Sequence, residues 1–147
     1  MSGVEESPLV EFFFEFSSPY SYLASTRIGE ICARHGARLE WKPIVLGPIL
    51  KQTGRQPLFE REGEGTYAMK DLERWADRLG VTFKMPPVFP VHSLAAARGA
   101  RFAQRSGCEA AYCRRVFEVA WGEGRDVGDS AVLADSAASV GLDAAAF

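Results

Sequence analysis

The sequence is poor in cysteine and histidine, which restricts the chemistry open to it. Three cysteines, Cys32, Cys108 and Cys113, make an odd count that argues against a disulfide framework. Cys108 and Cys113 have no His or Cys partner at metal-ligand spacing, so no metal site is predicted. Cys32 fits the apolar side of a helix, and reduced thiols in a cytoplasmic protein are the simplest account.

The sequence also lacks an excess of either charge and any long apolar run. The net charge is −2 and basic residues are scattered among acidic ones, which argues against nucleic-acid or anionic-membrane partners. No run approaches the roughly 20 apolar residues of a membrane span, and residues 1–8 lack the pattern of a signal peptide. Hydrophobic content of 47% predicts an ordinary soluble domain with a core.

Phe12 to Leu23, which reads F-F-F-E-F-S-S-P-Y-S-Y-L, is the most informative stretch that is present. An apolar run predicts a strand, Ser18 is a good helix N-cap, and Pro19 suits the first helical position. A strand that enters a helix through a short turn directs backbone N–H groups at the turn. Redox folds of this layout carry Cys-x-x-Cys there, whereas this chain has Ser18 and Ser21.

The first third predicts a β-α-β unit. We expect a strand over Leu9–Phe16, a helix from Pro19 that stops at Gly36, and a second strand over Ala37–Val45. A crossover of this length implies parallel strands and a right-handed connection.

From Leu46 onward the pattern predicts helices and no strand. Gly47 and Pro48 begin a new segment, residues 53–65 are loop-like, and three prolines keep residues 81–91 extended. The predicted helices are Thr66–Leu79, with Met69, Leu72, Trp75, Ala76 and Leu79 on one face, then Ser93–Ser106, Glu109–Trp121, and one from the N-cap Asp129 to Val140. We therefore divide the chain into an N-terminal β-α-β part, 1–46, and an all-helical part, 47–147.

The final residues suggest an interrupted fold. Asp143 resembles the N-cap of another helix, but the chain stops at Phe147 after one turn. Two parallel strands alone make a poor sheet. We expect that the chain is cut short and that missing residues complete the sheet; a frayed natural terminus is the alternative.

Five blocks, in order, resemble the 2-hydroxychromene-2-carboxylate isomerases, which are grouped with kappa-class glutathione transferases and Dsb-type oxidoreductases. The resemblance covers residues 9–143, and its blocks are F-E-F-S-S-P-Y-S-Y-L, W-K-P-I-V-L-G, Y-A-M-K-D-L-E-R-W-A, F-P-V-H-S-L-A-A-A-R and V-A-W-G-E-G-R-D-V-G-D. It implies an α/β, thioredoxin-like fold with a large helical insertion. The family's later cis-proline loop and W-G-x-D-R-L type segment do not occur in this sequence, so we expect that the C-terminal part of the thioredoxin domain is missing from it.

The resemblance also implies a glutathione-dependent isomerase that acts on a small aromatic substrate, and a homodimer. Ser18 then stabilises the thiolate of glutathione, and Pro19, Tyr20 and Arg55 help to bind the cofactor. A thiol has an ordinary pKa of about 8.5, so a hydroxyl donor at a helix N-terminus would increase its thiolate fraction. The chain departs from the family where Arg55 lies in G-R-Q-P in place of a G-N-x-P-P segment, and where Glu64 replaces a basic residue.

The sequence also fits other functions and other roles for these residues. The chain could be a kappa-like glutathione transferase, or a non-catalytic truncated fragment that only binds or dimerises; Ser18 and Ser21 disfavour a disulfide oxidoreductase. Ser18 could be a plain N-cap worth about 1 kcal/mol. Core packing is an alternative role for Tyr20 and Tyr22, and the preferred one for Trp121; Lys42 fits a surface lysine better than a carboxylate ligand. His35 and His92 lack a paired acid, which gives little support to a Ser-His-Asp hydrolase.

Overall fold

The computed structural model describes residues 7–143 and 145–146, and this part of the chain forms a two-stranded parallel sheet with six α-helices. In chain order the elements are β1 Leu9–Phe14, α1 Pro19–Arg34, β2 Arg38–Pro43, α2 Leu46–Thr53, α3 Glu64–Leu79, α4 Leu94–Arg105, α5 Glu109–Phe117 and α6 Ser130–Ser139. A short 3-10 helix, Leu58–Glu60, lies between α2 and α3. The predicted last helical turn, 143–147, includes Ala144 and Phe147, which lie outside the described residues.

The predicted β-α-β unit is confirmed. β1 and β2 are parallel, in a register that runs from Leu9 opposite Arg38 to Phe14 opposite Pro43. β1 ends at Phe14 and not at the predicted Phe16, because the chain turns at Glu15 to enter α1. β2 is likewise shorter than the predicted Ala37–Val45.

α1 begins and ends as the sequence predicts. Ser18 is its N-cap, Pro19 is the first helical residue, and His35 is the C-cap. Gly36 follows with a φ of 62°, a left-handed conformation that glycine adopts without steric cost.

α2 is a helix that we did not predict. Its third residue is Pro48, which the first turn accepts because the N–H groups there have no partner inside the helix. The helix ends at Gly54, and none of its residues is buried. Its position therefore depends on contacts at its ends more than on core packing.

The four later helices are confirmed with changes at their boundaries. α3 begins at Glu64, two residues before the predicted Thr66, and Trp75 is 46% exposed although we placed it on the buried face. α5 ends at Phe117 and continues as a π-helical turn over Glu118–Gly122, called the wide turn below. In it, the Glu123 N–H donates to the Glu118 carbonyl at 2.8 Å, a spacing of five residues.

One hydrophobic core joins the sheet to the helices. Phe14 and Phe16 are 1% exposed, and both pack on Phe117 of α5, with ring centroids 5.5 and 4.9 Å away. Trp41 of β2 contacts Phe14 edge-on at 5.5 Å. In the part of the chain described, no helix has the length and apolar character needed to cross a membrane.

Candidate functional site

The turn between β1 and α1 places Ser18 at the N-terminus of α1. The Ser18 Oγ accepts a hydrogen bond from the Ser21 N–H at 3.1 Å, and the Ser18 N–H donates to the Glu15 carbonyl at 2.9 Å. Ser18 is half-buried, and no described residue accepts a hydrogen bond from its hydroxyl. Its O–H group is thus available as a donor at the positive end of a 16-residue helix.

Glu15 is a buried carboxylate at this turn that was not among the site residues predicted from the sequence. It is 4% exposed; its Oε1 accepts from the Ser17 N–H at 3.1 Å and its Oε2 from the Leu46 N–H at 2.7 Å. Glu15 thereby ties the turn to the first residue of α2. The signal that could have identified it is a lone acid in an apolar F-F-F-E-F run, because a charge buried there needs partners.

Two residues of the turn, Phe16 and Ser17, form hydrogen bonds with distant parts of the chain. The Ser17 Oγ accepts from the Val91 N–H at 2.8 Å, next to the cis Phe89–Pro90 peptide bond. The Phe16 carbonyl accepts from the Trp121 Nε1–H at 2.8 Å. The turn is therefore fixed from the proline-rich segment and from the wide turn as well as from α2.

Four aromatic residues pack against one another next to the turn. We call them the aromatic cluster: Phe59, Phe83, Phe89 and Trp121. Phe89 contacts Phe59 at 5.2 Å and Trp121 at 6.0 Å, both edge-on, and Phe83 stacks on Trp121 at 6.0 Å. Trp121 is fully buried, which agrees with the packing role preferred from the sequence, whereas Phe89 is 37% exposed.

Tyr20 and Tyr22 both bind the helical part of the chain. The Tyr20 hydroxyl donates to Asp71 Oδ2 at 2.8 Å; burial first, then this hydrogen bond, raises the pKa of Tyr20 to about 12. The Tyr22 hydroxyl donates to the Thr82 carbonyl at 2.5 Å, and burial raises its pKa above the ordinary value. Both phenols are neutral at physiological pH; Tyr22 is a core residue, while Tyr20 is 36% exposed.

Arg55 lies just after α2, at an exposed position. Its N–H donates to the Leu50 carbonyl at 3.0 Å, and no described hydrogen bond or ion pair joins its side chain to the Ser18 turn. Glu64, expected to repel an anionic cofactor, pairs with Arg61 at 3.1 Å. Arg61 also donates to the Gln56 carbonyl at 3.0 Å, so it links the segment around Arg55 to the start of α3.

The other candidate side chains lie away from the turn or are already paired. His35 is the C-cap of α1, about 26 Å along the helix from Ser18 at a rise of about 1.5 Å per residue. Lys42 forms ion pairs with Glu40 at 3.1 Å and Glu11 at 3.2 Å, and its hydrogen bonds to these two carboxylates raise the pKa of its ammonium group. These partners lie on the strands, so Lys42 is a surface lysine that is already paired.

The cysteines are free, and two of them are buried. Cys32 is 4% exposed, as expected from its helical position, and Cys113 is fully buried. Burial raises the pKa of the Cys113 thiol, so this thiol is unreactive at neutral pH.

A cavity of about 490 Å³ opens between α1 and α5, away from Ser18. Its lining residues are Tyr22, Ser25, Thr26, Gly29, Glu30, Arg114 and Glu118. The Arg114 guanidinium lies 5.9 Å from the centre of the Trp41 ring. Its charged lining residues are two acidic side chains and one basic side chain, and it does not include the turn.

Comparisons with known proteins agree with this geometry. Residues 9–147 match the DSBA-like thioredoxin domain. A 2-hydroxychromene-2-carboxylate isomerase of Sphingobium xenophagum is 32% identical over 94% of this chain and 71% of its own length. A solved 2-hydroxychromene-2-carboxylate isomerase has a TM-score of 0.84 and 28% identity over 95% of this chain and 68% of its own.

A kappa-class glutathione S-transferase of Caenorhabditis elegans is also similar, with 29% identity over 56% of this chain and 37% of its own length. The family resemblance and the α/β thioredoxin-like fold expected from the sequence are thus confirmed. The chain belongs to the DSBA-like thioredoxin domain family and, within it, to the 2-hydroxychromene-2-carboxylate isomerases.

Proposed function

We propose that the protein is a glutathione-dependent cis-trans isomerase of an aromatic-degradation intermediate, of the 2-hydroxychromene-2-carboxylate or trans-o-hydroxybenzylidenepyruvate type. The observation that carries this proposal is the Ser18 hydroxyl, free to donate at the N-terminus of α1. Isomerases of the same name among the relatives support the reaction class. The kappa-class transferase supports the cofactor.

The residues of the turn fit a thiol cofactor. Glutathione supplies a thiolate, which can add reversibly to a conjugated double bond and so permit rotation about it. The Ser18 O–H donates to the sulfur, and the N-terminal end of α1 stabilises negative charge there. A lowering of the thiol pKa by one unit corresponds to about 1.4 kcal/mol. Ser18 is not the nucleophile in this proposal, because no described histidine forms a hydrogen bond with its hydroxyl.

Three further residues complete the proposed cofactor site. Pro19 is buried at the first helical position and fixes the entry into α1. Tyr20 is held by Asp71, so its exposed ring edge has a defined place beside Ser18. Arg55 offers a guanidinium for a carboxylate of glutathione, and the Arg61–Glu64 ion pair removes the repulsion expected from Glu64.

A kappa-like glutathione transferase is the second candidate, and the nematode relative favours it. The same Ser18 hydroxyl would activate the thiol, but the thiol would remain attached to the electrophile. The proposal also includes a homodimer, which rests on the resemblance. It includes a division at residue 46, which rests on the change from a β-α-β pattern to helices, and a cytoplasmic location, which rests on the reduced thiols expected from the cysteine usage. Sedimentation equilibrium of the 147-residue chain tests the dimer directly.

The proposal is tested by following isomerisation of trans-o-hydroxybenzylidenepyruvate with and without glutathione. We expect the reaction to need glutathione and Ser18→Ala to lower kcat/KM about 10- to 100-fold, with a higher pKa for the bound thiol. Ser106→Ala is the control, because Ser106 is an exposed serine at the C-cap of α4.

Each contrary result has a distinct meaning. Isomerisation at the same rate without glutathione refutes the thiolate chemistry. Conjugation of a generic electrophile without isomerisation favours the transferase. Absence of glutathione binding, together with a Ser18→Ala variant identical to the wild type, favours the fragment that only binds or dimerises.

A further inference from the structure

Phe89 lies beside the Ser18 turn through two separate connections. Its ring contacts Trp121, whose Nε1–H donates to the carbonyl of Phe16. Two residues further along the chain, the Val91 N–H donates to the hydroxyl of Ser17. Because both connections end within two residues of Ser18, the ring and the Ser18 hydroxyl belong to the same local structure.

The ring of Phe89 contacts two other aromatic rings, and the residue is only partly buried. Phe59 and Trp121 contact it edge-on, at interplanar angles of 89° and 72°. Phe83 backs Trp121 in a nearly parallel stack, at 5°. Phe89 itself keeps 37% of its surface exposed, whereas Trp121 is fully buried. An aromatic ring that packs against other rings and stays partly exposed suits contact with another flat apolar group.

We infer that Phe89 is a specificity-determining residue whose ring packs against the aromatic ring of the substrate. The identity of that substrate, a planar aromatic keto acid, rests on the proposed function. Phe89 differs from Phe16 and Phe117, both at most 1% exposed, because it joins a cluster of aromatic rings and still keeps part of its surface exposed. We expect the substrate to cover the exposed part of Phe89, next to the turn that its neighbours Val91 and Trp121 hold.

The experiment measures equilibrium binding of trans-o-hydroxybenzylidenepyruvate to the whole chain, by calorimetry. Phe89→Leu removes the ring and keeps an apolar side chain, and we expect the dissociation constant to rise about fivefold, the effect of losing one aromatic pair. Phe89→Tyr keeps the ring, and we expect binding close to that of the wild type. Circular dichroism establishes that each variant is folded.

Phe13→Leu is the matched control. Phe13 is 58% exposed on the outer face of β1, opposite the face that carries Phe12 and Phe14, so the same substitution should leave binding unchanged. Equal affinity of Phe89→Leu and the wild type, or no binding of the acid by the wild type, overturns the inference. Glutathione affinity, measured separately, should be unchanged in Phe89→Leu. A wild type that binds the aromatic acid but not glutathione contradicts the proposed cofactor and not the role of Phe89.

Discussion

Replacement of Glu15 by glutamine tests whether the buried carboxylate holds the turn. Glu15 is 4% exposed and accepts two backbone N–H groups, from Ser17 at 3.1 Å and Leu46 at 2.7 Å. Glutamine offers one oxygen and one NH₂ group, so one of the two N–H groups would face a donor. Hydrogen bonds to a charged group contribute about 1.5–3 kcal/mol each, and we expect Glu15→Gln to lower the free energy of unfolding by about 2–3 kcal/mol.

The opposing effect is the cost of burying a charge. A neutral side chain avoids the desolvation penalty of the carboxylate, and buried charges can be replaced without loss when apolar packing substitutes for them. Here the partners are backbone N–H groups that remain after the substitution, and Leu46 lies at the positive N-terminus of α2. The unsatisfied N–H group therefore decides the sign, and we expect a net loss of stability.

Urea unfolding followed by circular dichroism measures the change. Glu11→Gln is the control, because Glu11 lies in β1, four residues before Glu15, but forms an exposed ion pair with Lys42 at 3.2 Å; its loss should cost at most about 1 kcal/mol. Amide hydrogen exchange in α2 should accelerate in Glu15→Gln, since no α2 residue is buried. A Glu15→Gln protein as stable as the wild type, with unchanged exchange in α2, would refute the reasoning.

Two further substitutions test the supports of the turn. Trp121→Phe removes the donor to the Phe16 carbonyl and leaves a cavity, and we expect urea unfolding to show that the free energy of unfolding falls by about 2–4 kcal/mol. Trp75→Phe, at an exposed position, is the control and should lower it by about 0.5 kcal/mol or less. Folding raises the pKa of Tyr20 from 10.0 to about 12, so its neutral form stabilises the native state below pH 10 and that contribution is lost as the pH rises to about 12. The stability difference between wild type and Tyr20→Phe, measured by urea unfolding across this range, should shrink with rising pH; a constant difference would contradict the raised pKa of Tyr20.

The elements that local chemistry determines were predictable from the sequence. Ser18, Pro19 and Gly36 define α1 through capping and proline geometry, which depend on neighbouring residues alone. α2 was missed because its residues make no buried face and its first turn carries Gly47 and Pro48. Its start is fixed by Glu15, 31 residues earlier, and no local pattern records that contact.

The candidate site likewise combines local features with distant contacts. Ser18 and Tyr20 lie at the N-cap and in the first turn of α1, as the local pattern predicts. The contact of Phe89 with Trp121 joins residues 32 positions apart, which no local pattern indicates. Trp75 was assigned to a buried face from helical periodicity, but the stripe that is buried consists of smaller residues such as Ala68 and Ala76. Periodicity identifies a face of a helix; the room available against its neighbours decides which side chains that face can bury.

Because of the wide turn, the number of residues between Tyr112 and Trp121 determines where Trp121 points. Nine residues of uninterrupted α-helix make two and a half turns, which would place these two side chains on opposite sides. Both are fully buried, and the five-residue spacing at Glu118–Gly122 changes the rotation per residue, so that the direction of Trp121 differs from that in a regular helix. In an alignment of related sequences, a one-residue gap in this interval would bring a different side chain to the Phe16 carbonyl. The length of this segment should therefore be inherited more strictly than its composition.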